Sequence, residues 1–200
     1  PWLPMLFAGL DAQSFRNFEV IFINDGSTDE TANLLDSYAV ERSNVKVIHQ
    51  PNRGVAIARN TGLDAAVGKY VAFVDADDAI APTYLEKLVS LADSLDLDIA
   101  FSDRRHFIKT PGDLGNAKLF PRPKTRGPLA GKEWFEKTLY DREWYAAVWA
   151  SLFRRGFIEE HNFRFAEGVS ASSDVLMGVA LQPRAKRVAF TPETTYYYRN

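Results

Sequence analysis

The chain has no cysteine in its 200 residues. Disulfides and thiolate-bound metals are therefore excluded, and the composition is compatible with a reducing cytosol. No apolar run approaches the roughly 18 residues that span a bilayer, and nothing at the start reads as a signal peptide. A dominant charge is missing too: 24 Lys and Arg stand against 26 Asp and Glu, for a net charge of −2. The cations are scattered rather than clustered, so the chain carries no electrostatic footprint for nucleic acid. His49, His106 and His161 lack ligand spacing and read as structural or surface residues. No internal repeat is present. What remains is a chain with 46% hydrophobic residues, enough to bury one core, and one domain over residues 1–200 is the expectation.

Strand and helix signals alternate along the first half. Val20-Ile21-Phe22-Ile23 reads as a short buried strand, followed by the turn Asn24-Asp25-Gly26-Ser27-Thr28-Asp29. Ser27 and Glu30 have capping-box spacing, which predicts a helix starting there and running through Leu34, Leu35 and Tyr38. A strand at Val45–Ile48, a helix over 55–66 and a strand at Tyr70–Val74 continue the alternation, which implies an α/β fold with a mostly parallel sheet. Pro82 suits a first helical turn, Leu85, Leu88, Val89, Ala92 and Leu95 share one helical face, and Ile99–Phe101 reads as the next strand. Residues 103–128 hold four prolines and read as a long irregular loop of the kind that covers sites. Beyond it Trp134, Phe135, Trp144, Tyr145, Trp149 and Phe153 supply aromatic surface for a core or for an acceptor pocket.

The most informative segment is the apolar run Tyr70–Val74, which stops at Asp75-Ala76-Asp77-Asp78. A strand buried on both faces ends at the carboxyl edge of its sheet, where open α/β sheets bind ligands. Three carboxylates packed so closely repel one another, and a hard cation such as Mg²⁺ or Mn²⁺, bound with substrate phosphates, relieves the repulsion. Taken alone, the aspartates suit a solvated turn equally well.

Three segments together resemble the inverting nucleotide-sugar glycosyltransferases of family 2, with the GT-A fold, of the bacterial cell-surface polysaccharide type. They are Asn24–Asp29, Asn52-Arg53-Gly54-Val55-Ala56-Ile57-Ala58-Arg59-Asn60-Thr61-Gly62 and Phe73–Asp78; Val148–Arg155, Phe165–Gly168 and Tyr196–Arg199 are similar to the family as well. The resemblance implies that Asp25 contacts a uracil base and that Arg59 and Asn60 approach the base or the diphosphate. It implies that Asp77 ligates Mn²⁺ or Mg²⁺ and that Asp75 touches the ribose or the metal. The family draws its base from a Glu-Asp pair at the start of a late helix; Ser173-Asp174 aligns with it here, leaving Asp174 as the candidate base. Residues 1–102 would form the nucleotide-sugar half and 103–200 the acceptor half. The partners implied are a UDP-sugar donor and a glycan or lipid-linked saccharide acceptor. The location implied is cytoplasmic, at the inner face of the plasma membrane through the parent chain.

Two departures accompany the resemblance. Ser173 replaces the Glu of the base pair, and family members begin with an apolar strand that precedes the helical spacing Leu3, Leu6, Phe7, Leu10 with which this chain opens. The expectation is a fragment of a longer protein, and a non-catalytic nucleotide-sugar or glycan-binding module stands as the second reading. An aspartyl-nucleophile phosphatase would carry Thr or Val where Ala79 stands, and a calcium loop lacks both its third ligand and its glycine.

Overall fold

The structure, a computed structural model, describes residues 2–107, 118–119, 123–144, 147–169 and 173–199. Helix α1 (Leu3–Asp11) takes Pro4 in its first turn, where the missing N–H costs nothing, and buries Leu3, Leu6 and Leu10. Strand β1 (Val20–Asp25) runs parallel to β2 (Val45–Gln50), with α2 (Thr31–Ala39) connecting them and α3 (Val55–Ala65) following. Next come β3 (Tyr70–Ala72), the two-residue β4 (Ala79–Ile80), α4 (Tyr84–Leu95) and β5 (Ile99–Phe107). The second half holds β6 (Lys118–Leu119), α5 (Gly131–Tyr140), β7 (Ser151–Arg154), α6 (Arg155–Glu160), α7 (Ser173–Leu181) and β8 (Val188–Arg199).

The α/β class holds, but the sheet is mixed rather than mostly parallel. Strands pair in the order β3-β7-β5-β8-β4, and only the β5–β8 ladder of that path is parallel. The reason is local to the second half, where β7 and β8 return against strands laid down by the βα units of the first half. Ile99, Phe101, Leu88, Tyr84, Trp134 and Met177, all essentially inaccessible, form the centre of the core. Trp134 stacks on Phe101 with centroids 5.8 Å apart, so this aromatic belongs to the core and not to a pocket.

Other expectations shift at their boundaries. The capping box at Ser27 and Glu30 does not form: the Ser27 N–H donates to Asn24 Oδ1 at 3.0 Å, the Thr31 N–H donates to Asp29 Oδ1 at 3.0 Å, and α2 starts only at Thr31. Asn24 has taken the Ser27 N–H that the box would use, and an Asx turn at Asp29 sets the later helix start. Gly26 makes the turn possible, because its φ is +73° and a Cβ there would sit 2.6 Å from the Asn52 backbone nitrogen. The loop expected from residue 103 begins later, since β5 continues to Phe107; residues 108–117 and 120–122, like Tyr145 and Ser170–Ser172, lie outside the described residues.

Strand β1 is half-buried where full burial was expected. Among the described residues β1 pairs only with β2, and β3 only with β7. Their remaining edges line a groove of about 780 Å³, floored by apolar side chains including Leu6, Leu10, Val89 and Leu152. No described helix is long and apolar enough to cross a membrane.

Candidate active site

Strand β1 delivers Asp25 at its last residue. The Asp25 carboxylate accepts the Gln50 side-chain amide at 2.7 Å and the backbone N–H groups of Arg53 and Gly54 at 3.0 and 2.8 Å. Burial pulls its pKa upward, but these donors outweigh burial and hold the carboxyl below its ordinary value. Asp25 thus shapes the loop entering α3, as a turn-forming aspartate would. The same network crosses to the aspartate cluster. Gln50 Oε1 accepts from Thr61 on α3 at 2.8 Å, and two residues earlier on that helix Arg59 reaches Asp75 Oδ1 at 3.1 Å.

Arg59 also lies over the ring of Phe165, 5.4 Å from its centroid. Asn60 clasps the Phe165 backbone: its amide nitrogen donates to the carbonyl at 2.9 Å and its oxygen accepts the N–H at 2.8 Å. The clasp positions the aromatic ring over which Arg59 lies.

The cluster itself is held from the far end of the chain. Burial raises the Asp75 carboxyl pKa; Arg59 opposes the shift, while the charges of Asp77 and Asp174 add to it. Asp174, in the first turn of α7, therefore acts on the same site, and its Oδ1 accepts the Val175 N–H at 3.1 Å. Asp78 is fully buried and is pushed up to about 7 by burial, against the opposing donors Arg199 N–H and Tyr196 Oη. Tyr196 Oη donates to Asp78 Oδ2 at 2.5 Å and accepts the Asp75 N–H at 3.2 Å, so one hydroxyl ties both ends of the turn. Trp149 stacks between Tyr196 and Tyr198, with centroids 5.2 and 4.7 Å away. Arg199 closes the site, its Nε donating to Asp77 Oδ2 at 2.9 Å.

Tyr196 and Arg199 carry no role that the sequence discloses, although both lie in the segment Tyr196–Arg199 that is similar to the family. Of the histidines, His49 bridges Asn24 and Asp36, and His161 pairs with a backbone carbonyl, as structural residues do.

A matched model, glycosyl transferase family 2, covers residues 1–157. The chain belongs to that family. Over 94% of its length this family 2 chain is 35% identical to the uncharacterized glycosyltransferase YibD of Escherichia coli K12, covering 55% of that protein. It is 30% identical to the uncharacterized glycosyltransferase EpsJ of Bacillus subtilis, covering 57% of it. It thus spans about half the length of the relatives it matches. Among solved structures it superposes on Staphylococcus aureus TarS 1–349 in complex with UDP-GlcNAc, with a TM-score of 0.83, 22% identity and coverage of 100% of this chain and 55% of that one. The mannosyltransferase PcManGT of Pyrobaculum calidifontis, in complex with GDP-Man and Mn²⁺, gives a TM-score of 0.65 at 20% identity, with coverage of 98% and 53%. At these identities the likeness is one of fold, and it establishes the GT-A class.

Among the described residues no group of three or more His, Cys, Asp or Glu is gathered into a ready-made metal cage. Asp75 and Asp77 nevertheless present hard oxygen donors; burial is the main cause of the raised pKa of Asp75, and the neighbouring charges of Asp77 and Asp174, which add to it, are ones a cation would offset. These residues fit an ion that brings most of its shell as phosphate oxygens and water, which is how Mg²⁺ is commonly held.

Burying Asp78 makes stability depend on pH. Its pKa in the folded protein, about 7, lies above the ordinary carboxyl value of 3.8, so the folded state binds the extra proton between those values. The contribution of Asp78 to stability is then fully present below about pH 4 and is lost as pH rises through 7. Urea unfolding of wild type and Asp78→Asn across this range should show the wild type losing ground to the variant as pH rises. A constant difference would contradict the assignment.

Proposed function

We propose that this chain is the donor-binding part of an inverting glycosyltransferase that moves a sugar from a UDP-sugar to a hydroxyl of a glycan or lipid-linked saccharide. The observation that carries the reading is the linkage of Asp25, through Gln50, Thr61 and the helix bearing Arg59, to Asp75, with Asp77 beside it and Asp174 in electrostatic reach. Asp25 and the Arg53-Gly54 backbone would receive the uracil, and Arg59 the diphosphate, which suits a fixed, always charged donor set. Mn²⁺ or Mg²⁺, held by Asp77 and Asp75, would supply neutralisation of the diphosphate as it leaves. Asp174 would take the proton of the acceptor hydroxyl as its oxygen attacks the anomeric carbon from the face opposite the diphosphate. The carbon–oxygen bond to the diphosphate breaks, and the configuration inverts. UDP-GlcNAc in the TarS complex and GDP-Man with Mn²⁺ in PcManGT support a nucleotide-sugar donor and a divalent ion. A role in cell-envelope polysaccharide synthesis at the cytoplasmic face of the membrane belongs to the same reading.

The open groove between β1 and β3 favours the second reading for this piece alone, a module that needs further chain to turn over. Calorimetric titration with UDP, with and without MnCl₂, tests the donor site directly. We expect binding that depends on Mn²⁺. Absence of UDP binding with the ion and without it overturns the nucleotide-sugar assignment.

A further inference from the structure

Two guanidiniums meet the aspartate cluster, and they are held differently. Arg59 pairs with Asp75 where the two side chains are 14% and 34% exposed, whereas Arg199 pairs with Asp77 at 33% and 38%. Both Nε and Nη2 of Arg199 converge on one oxygen, Asp77 Oδ2. The Arg199 backbone is fixed separately: its N–H donates to Asp78 Oδ1 at 2.8 Å, and Asp78 is tied in turn to Tyr196. Its guanidinium also lies 5.0 Å from the ring centroid of Trp2. The main chain is thus anchored to the aspartate turn by a buried group, and the ionic link to Asp77 is the part that faces water.

We propose that Arg199 is a resident counter-cation of Asp77, a positioning residue that a divalent ion must displace before Oδ2 can serve as a ligand. The inference rests on the metal-assisted reading above. A guanidinium and a divalent ion repel each other, and with both Nε and Nη2 of Arg199 already on Oδ2 an ion takes that oxygen only as they give way. Half-exposed ion pairs are weak, so the exchange is accessible, and the buried anchor through Asp78 keeps the departing side chain beside the cluster. A nucleoside diphosphate tips the exchange by adding its own oxygens to the ion. Until then Arg199 offsets the repulsion that would otherwise spread the aspartates apart.

The test measures ion binding rather than turnover. MnCl₂ is titrated into the chain without nucleotide, free Mn²⁺ being read by electron paramagnetic resonance, for wild type, Arg199→Ala and Arg199→Lys. Circular dichroism checks that each variant is folded. In parallel the Nε–H resonance of Arg199 in the ¹⁵N-labelled wild type is followed during titration with MgCl₂ and UDP. Exchange predicts tighter Mn²⁺ binding in Arg199→Ala by roughly two- to fivefold, an intermediate value for Lys, and displacement of the Nε–H signal as Mg²⁺ binds. Mn²⁺ binding by Arg199→Ala alone would support the proposal in its strongest form. Equal affinities with an unmoved Nε–H signal would overturn it while leaving metal binding intact. Tighter binding in Ala, with Lys equal to wild type and the signal unmoved, would mean simple charge repulsion and overturn it too. No ion bound by any form, with UDP or without, would remove both this proposal and the metal-assisted reading.

Discussion

Asp77→Ala is expected to abolish Mn²⁺-dependent UDP binding while leaving the fold essentially as stable as before. Apart from the Arg199 guanidinium, no described hydrogen bond or ion pair reaches the Asp77 side chain, and that pair is more than a third exposed on the aspartate side. Breaking an ion pair of that kind costs at most about 1 kcal/mol. The turn that carries Asp77 is secured from either side by Tyr196, through the Asp75 N–H and the Asp78 carboxylate, so it keeps its shape without the side chain. The ion loses much more. On the proposed metal site, where Asp75 and Asp77 are the protein donors, removing one halves the protein's share of the coordination, and a loss of about 3 kcal/mol, or about a hundredfold in affinity, is the expected scale. Calorimetry with UDP and MnCl₂, beside urea unfolding of the same variant, separates the two effects. Unchanged UDP affinity would remove Asp77 from the metal site.

How much of this site the sequence discloses depends on the range of the interactions that build it. The aspartate run is local: an apolar strand leading into three carboxylates points to a sheet edge, although β3 stops at Ala72, two residues short of the expected Val74. The βα alternation is also local, and β1, β2, α3 and α4 fall within a few residues of the positions their periodicity implies. Tyr196 and Arg199 meet Asp78 and Asp77 across 118 and 122 residues. That contact exists because β8 pairs antiparallel with the two-residue β4, a pairing that no spacing in the sequence specifies. The mixed character of the sheet has the same origin. At Ser27 the failure is instead a local competition, in which Asn24 captures the N–H that opens the turn and the helix waits for Thr31. At Asn60 the backbone clasp is not legible in the sequence, because Phe165 approaches from 105 residues away.

The second large effect is expected at Asp174. Asn has nearly the same shape and keeps an oxygen that can accept the Val175 N–H, so Asp174→Asn should leave α7 in place and UDP affinity within about twofold of wild type. It cannot take a proton. General-base catalysis is worth about 10²- to 10⁴-fold, and the transfer rate of the parent chain with its acceptor should fall by that factor. The variant has to be assayed at saturating donor, where a loss in kcat with unchanged UDP binding reports proton transfer alone. Full activity there would place the base on another residue, whereas parallel losses of binding and rate would make Asp174 part of the donor site.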